Sequence, residues 1–227
     1  MTTEKSAPRR TDPESDQGRR AAQRGRGVVV SLPFVGNDEA LLEGLREGHL
    51  GARAVFCDRH GERVLRVLAR ILGADDELMD LHQEVSLRAL RSVAKVRSAG
   101  ALSGWITTIA VNVARSELGR RRRRRWLTPL AQEELPEGEA AGASEDDREA
   151  LRRTYAIFDR LSPDLRIPLA LRLVDGMELR EVASACGLSL ATVKRRLARA
   201  EAQFRALARR DPILGGWLDR RDRWGDR

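Results

Sequence analysis

The sequence predicts an all-α protein of two small helical domains joined by a flexible acidic linker, the second domain containing a helix-turn-helix. Three observations carry this. From Asp38 onward apolar residues recur at helical spacing, and no alternating strand pattern bounded by turn residues occurs anywhere. Residues 127–150 then interrupt the pattern with eight acids, one arginine, Pro129, Pro136, Gly138 and Gly142, the composition of a solvated linker. A chain of 227 residues has room for one large or two small domains.

Residues 1–37 mix Arg, Asp, Ser, Gly and Pro with little periodicity before the short patch Val28 to Val35, and read as a disordered basic arm. In residues 38–126, Leu41, Leu42, Leu45, Val55 and Phe56 form one apolar stripe, and Val64, Leu65, Leu68, Ile71 and Leu72 a second, with Gly61 and Gly73 as expected breaks. A third helix is expected over about 76–96 with Leu78, Leu81, Val85 and Ala89 inward. A fourth is expected over about 102–120 with Leu102, Trp105, Ile106, Ile109 and Val113 inward. The loop Arg97-Ser98-Ala99-Gly100 joins them. In residues 151–210 helical periodicity resumes at Tyr155, Ile157, Phe158 and Leu161, and Ser162-Pro163 starts another helix. Residues 211–227 form a tail with Trp217 and Trp224, for which packing back on the second domain, disorder, and docking of a partner are all readings.

Charge narrows the function. Lys and Arg number 42 against 34 Asp and Glu, a net +8, and Lys5, Lys95 and Lys194 are the only lysines. The planar arginine fork suits phosphates and base edges, so an anionic partner is the first expectation. The linker carries one arginine against eight acids, which leaves +15 for the rest of the chain. Apolar runs such as Val28 to Val30 fall far short of a membrane span, and the start of the chain has no apolar core typical of a signal peptide, so a cytoplasmic protein without direct membrane insertion is expected. Cys57 and Cys186 read as small buried hydrophobes rather than a disulfide.

Two constellations carry chemistry. In the second domain, residues 178–185 form a short helix, Cys186-Gly187-Leu188 breaks it, and Ser189 caps a helix over about 190–208. On that helix Leu190, Val193, Leu197, Ala200 and Phe204 share one face, while Arg195 and Arg199 point away from it, flanked by Thr192, Lys194 and Arg196. This is the polar end that a recognition helix presents to the major groove. In the first domain, Asp80, Gln83, Glu84 and Leu87 follow i, i+3, i+4, i+7 spacing opposite the core stripe. An outward leucine among acids fits protein docking rather than DNA, because carboxylates repel phosphates. Thr108, Asn112 and Arg115 line the rim of the fourth helix, which leads into six consecutive arginines, Arg120 to Arg125, suited to gripping phosphates.

Those residues carry a resemblance. Asp80-Leu81-His82-Gln83-Glu84-Val85, then Gly104-Trp105-Ile106 and Ile109 to Arg115 running into arginines, resemble region 2 of bacterial sigma factors of the sigma-70 family, extracytoplasmic-function (ECF) type. Leu161-Ser162-Pro163, Gly176-Met177 and Leu188 to Ala200 resemble region 4 of the same family. The resemblance implies a promoter-recognition subunit that partners core RNA polymerase, on the clamp of its largest subunit and the flap of its second largest, together with promoter DNA and an anti-sigma factor. It implies polymerase docking by Asp80, Gln83, Glu84 and Leu87. It places −10 recognition on Arg97, Ser98, Trp105, Thr108, Asn112, Arg115 and Arg120, Arg121, Arg122 and Arg123. It places −35 recognition on Ser189, Thr192, Lys194, Arg195, Arg196 and Arg199. The chain departs from the family where Trp105-Ile106-Thr107-Thr108 replaces a Trp-Leu-Tyr-Arg run, and where Val96-Arg97-Ser98 stands in place of Phe-Arg-Gly. Both changes remove groups that stack on or grip a melted strand.

Other readings are weaker. His49, Cys57 and His60 have spacing for two zinc ligands, but a structural zinc takes four and His82 falls on another helix, so no metal, cofactor or catalytic residue is expected. A stand-alone helix-turn-helix regulator is the alternative, but it would usually be a dimer without a separate acidic docking domain. The 24 residues of 127–150 reach up to about 80 Å extended, more than two duplex turns of roughly 34 Å, enough for one molecule to touch two promoter elements.

Overall fold

The computed structural model describes residues 34–73, 76–127 and 144–220. The expected N-terminal arm up to Pro33, most of the linker and the last seven residues lie outside the described residues. Every described residue outside the connecting turns is helical, as the sequence predicts.

Helix α1 (Asp38–Arg46) begins where the Asn37 side-chain carbonyl accepts the Ala40 amide at 3.0 Å, with Asp38 and Glu39 at its positive end. Gly48, at φ 77°, turns the chain into α2 (Leu50–Leu72), which His49 caps by accepting the Ala52 amide at Nδ1. The break expected at Gly61 does not occur. There α2 crosses α3 (Leu78–Ser92) so closely that a β-carbon would sit 3.2 Å from His82 Nε2, and the glycine serves contact rather than termination. Two single turns, Val93–Lys95 and Ala99–Ala101, lead into α4 (Leu102–Leu127), which carries the whole arginine run in helical form, past the end expected near Arg120. Helices α2, α3 and α4 pack pairwise, with α1 on α2, around Leu41, Phe56, Leu68, Ile71, Val85, Ile106 and Val111.

The second set opens with α5 (Glu145–Phe158). Ser144 Oγ accepts the Asp147 amide and Asp147 Oδ2 accepts the Ser144 amide, a reciprocal cap. Residues 145–150 are therefore helix and not linker, because Glu145, Asp146 and Asp147 are the first-turn acids of a capped helix. The connecting residues 128–143 reach at most about 55 Å, still more than one duplex turn. Helix α6 (Pro163–Leu169) passes into a wider turn, Ala170–Val174, where the Asp175 amide reaches back five residues to the Ala170 carbonyl. Then come α7 (Leu179–Cys186) and α8 (Leu190–Ala208), and α9 (Pro212–Arg220) folds back onto α5 and α8. Leu214 joins Ala150, Ile157 and Ala208 in a small second core, and Arg153 pairs with Asp211 at 3.0 Å. For residues 212–220 the packing alternative for the tail is the one observed.

The two helical sets pack on each other. Helix α4 lies against α6 and α7, α2 lies against the turn 170–174, and the principal core runs continuously from Leu41 to Ala200. The last carbonyls of α2 are met from the second set. The Tyr155 hydroxyl donates to Ala69 O at 3.1 Å and lies 3.3 Å from Arg70 O, while Arg166 Nε donates to Ile71 O at 2.7 Å. Arg166 is 2% exposed and also pairs with Asp159. Among the described residues no helix is long and apolar enough to cross a membrane.

Phe158 is the hub of the second set, edge-on to Tyr155 and to Phe204 with ring centroids 5.7 Å apart, and 5.9 Å below the Arg166 guanidinium. Phe158→Ala is expected to lower the unfolding free energy by about 3–5 kcal/mol in urea titrations. A loss below about 1 kcal/mol would contradict that role.

Candidate nucleic-acid interface

Helix α7, the left-handed Gly187 (φ 65°) and α8 form the expected helix-turn-helix. Ser189 Oγ accepts the Thr192 amide at 3.2 Å, and the two hydroxyls lie 2.9 Å apart, so both side chains complete the start of α8. Val193, Leu197 and Ala200 are buried, while Lys194, Arg195 and Arg199 stand exposed on the other side. Arg196 has a partner within the protein: it is half-buried and donates to Asp164 on α6 at 2.9 Å, bracing α8 against α6.

In the first set Arg97 and Ser98 are exposed, held by the buried Val96 and Ala99 on either side. Trp105 is half-buried, tilted against Phe56 at 6.5 Å. Thr108 turns its hydroxyl to its own helix, donating to Gly104 O at 3.0 Å. Asn112 is exposed and its Oδ1 accepts Arg115 Nη1 at 3.0 Å, while Arg115 Nε is enclosed without an acceptor among the described residues. The stripe exists, but part of Arg115 is turned into the protein.

The arginine run is divided. Glu117, 4% exposed, accepts Arg120 Nε at 2.7 Å and Arg121 Nε at 2.9 Å, and Glu77 accepts Arg120 Nη2 at 2.6 Å. Arg124 lies 3.9 Å from the same Glu77. Arg122 and Arg123 are exposed and form no ion pair among the described residues. Arg120 and Arg121 thus hold α4 in place, in addition to any contact with DNA. The sequence signal for this was a glutamate three and four positions before two arginines. Burial raises the Glu117 pKa, but the Arg120 and Arg121 hydrogen bonds outweigh it and hold the carboxyl below its ordinary value.

On α3 the acidic face is present: Asp80 and Gln83 are exposed, Glu84 is half-exposed and bonded to Arg88, and Leu87 is 52% exposed. Met79, 56% exposed one helical turn before Gln83, adds an apolar group that the sequence reading omitted. The two histidines and the cysteine weighed as zinc ligands have separate structural places. His49 caps α2, His60 packs on Phe56 at 4.9 Å, and Cys57 is half-buried with its thiol pKa raised by burial.

The comparisons follow the same division. Residues 56–124 match the family description Sigma-70 region 2, and residues 151–204 match Sigma-70, region 4. The chain is 30% identical over 155 residues to the ECF RNA polymerase sigma factor SigE of Mycolicibacterium smegmatis, a match covering 65% of this chain and 58% of that protein. It is 28% identical over 175 residues to the ECF RNA polymerase sigma-E factor of Escherichia coli K12, covering 72% of this chain and 90% of that one. The sigma factor RpoE of Bartonella quintana, solved in complex with the anti-sigma factor NepR, superposes with a TM-score of 0.53 at 21% identity, covering 68% of this chain and 95% of that one.

Because the Glu117 pKa is depressed in the folded state, its contribution is present above the ordinary value of 4.5 and drains away as pH falls through the depressed value. Glu117→Gln is expected to cost about 2 kcal/mol near pH 7 and progressively less below pH 4.5, read by urea denaturation at both ends. An equal loss at both would show that the charge is not what holds the arginines.

Proposed function

Since the chain belongs to the extracytoplasmic-function type of bacterial sigma-70 factors, we propose a division of labour among its residues for the work such factors do. The protein binds core RNA polymerase and directs promoter-specific initiation of transcription. In our reading α3 docks on the clamp of the largest polymerase subunit through Asp80, Gln83, Glu84 and Leu87, with Met79 extending the apolar contact. Carboxylates around an exposed leucine favour a basic protein groove and disfavour phosphates.

The −10 element is handled by Arg97, Ser98, Trp105, Thr108, Asn112 and Arg115, with Arg122 and Arg123 as the freer phosphate contacts. The −35 element is read by Lys194, Arg195 and Arg199, which the Ser189 cap and the left-handed Gly187 aim outward from a supported α8, while the second set contacts the flap of the second-largest subunit. The observation that carries this reading is that α8 presents three exposed cationic side chains opposite Val193, Leu197 and Ala200 in one half, while the other half shows an acidic face. A stand-alone regulator has no use for that acidic face. The reading is of a binding subunit without a reaction of its own, working in the cytoplasm, and one relative's capture by an anti-sigma factor supports a similar partner here.

Asp80→Ala/Glu84→Ala is expected to weaken binding to core polymerase at least tenfold in fluorescence titrations while leaving the helical circular dichroism unchanged. Transcription from a cognate promoter should fall in parallel. Unaltered affinity for core enzyme would sink the docking assignment.

A further inference from the structure

The loop that carries Arg97 and Ser98 is braced from a helix much earlier in the sequence. Arg46, in the last turn of α1, donates from Nη2 to Val96 O at 2.8 Å across a separation of 50 residues. That carbonyl belongs to the planar peptide group joining Val96 to Arg97, so the bond fixes the plane from which Arg97 begins. From Nη1 the same guanidinium donates to Glu43 Oε2 at 3.1 Å, which orients the fork. A bond from a charged donor is roughly twice as strong as a neutral one.

An arginine in the last turn of a helix commonly serves that helix's own end. Arg46 does not. The Glu47, Gly48 and His49 amides already reach the carbonyls of Glu43, Leu45 and Gly44, and Arg46 turns its Nη2 to the neighbouring loop. Helix α1 also packs against both single turns that flank the loop, Val93–Lys95 and Ala99–Ala101.

Little else sets the direction of the loop. Val96 and Ala99 are buried, but apolar burial is non-directional, so it fixes where the loop sits and not how its peptide planes are turned. Backbone bonds close the turns on either side, from the Val96 amide to Val93 O and from the Ala101 amide to Ser98 O, and neither uses the Val96 carbonyl. The side chains of Arg97 and Ser98 are exposed and have no hydrogen-bond or ion-pair partner among the described residues. Val96 brings no ring to stack on a base, so grip at this loop depends on where those two side chains point.

We propose that Arg46 is a positioning residue for −10 recognition: through Val96 it aims Arg97 and Ser98 at the unpaired strand without itself touching DNA. The proposal rests on the reading of Arg97 and Ser98 as −10 contacts. The bracing contact does not.

Arg46→Met keeps the stem and removes the donors, and Arg46→Lys keeps a single charged donor. In the full-length, isotope-labelled chain the Arg97 amide reports the brace by NMR. Its heteronuclear NOE should fall in Arg46→Met and largely recover in Arg46→Lys. Holoenzyme assembled from core RNA polymerase and each variant is then titrated with a fluorescent single-stranded oligonucleotide of randomised sequence. Arg97→Ala and Arg46→Met should each weaken binding roughly tenfold, as loss of a charged hydrogen bond does, and Arg46→Lys should restore most of it. The two losses together should exceed either alone by little, since Arg46 acts through Arg97. Affinity for core polymerase should stay the same in the Arg46 variants.

An unaltered Arg97 amide in Arg46→Met, or unaltered oligonucleotide binding beside a weakened Arg97→Ala, overturns the positioning role. Additive losses, or weaker core binding in Arg46→Met, overturn it too, because the defect then lies in a direct contact or in the fold at large. Unaltered binding in Arg97→Ala, with the amide signal still lost in Arg46→Met, overturns instead the −10 reading on which the role rests.

Discussion

The structure depends on how one helix ends. Helix α2 has 23 residues and finishes inside the protein at Gly73, where the closing turn of any helix leaves carbonyls without intrahelical donors. Away from water each of these must find a partner. The Gly73 amide takes Ala69 O, the Tyr155 hydroxyl shares Ala69 and Arg70, and Arg166 takes Ile71. Two of the three donors belong to residues more than eighty positions away in sequence. The first helical set is therefore finished by the second, and the second surrounds a guanidinium that the first helps to satisfy. Gly73, at φ 89° with the Tyr155 ring where a side chain would start, makes the approach possible.

What was legible in the sequence was what neighbours in sequence determine. The Ser189 cap, the left-handed Gly187 and the apolar face of α8 rest on spacings of one to four residues, and each is found in the structure. The outward acids and Leu87 of α3 were legible for the same reason. Gly61 misled because a glycine within a helical pattern reads identically whether it ends the helix or lets another helix come close, and only the position of His82 decides between them. Residues 145–150 misled because first-turn acids and linker acids have the same composition. The division of the arginine run turns on Glu77, some forty positions before Arg120, and the junction of the sets turns on Tyr155 and Arg166. Arg166 shows no sequence sign that it is buried, since an arginine between Leu165 and Ile167 on a short helix is ordinarily half-exposed.

In the proposed reading, support and recognition share one element in helix α4. One side supplies Ile106, Ala110, Val111 and Val113 to the core, and the rim supplies Thr108, Asn112 and Arg115. The far end supplies arginines to Glu117 and Glu77. A substitution at the rim cannot be read as a pure recognition defect unless its neighbours on the core side are shown to keep their packing. The acidic face of α3 and the cationic side of α8 are simpler, because each stands on a helix whose apolar side is independently anchored.

In the proposed reading of the arginine run as a phosphate contact, the buried Glu117 has a consequence for how firmly DNA is held. Binding of a polyanion by a basic segment is driven largely by small cations shed from the phosphates, one for nearly every neutralised phosphate. A guanidinium already engaged by a carboxylate sheds fewer, since its charge is compensated before the nucleic acid arrives. In the proposed reading Arg120 to Arg124 therefore act as a shorter run than their number suggests, and association loosens less steeply with ionic strength. With less of the affinity coming from uniform attraction, a larger share must come from groups that distinguish one base from another.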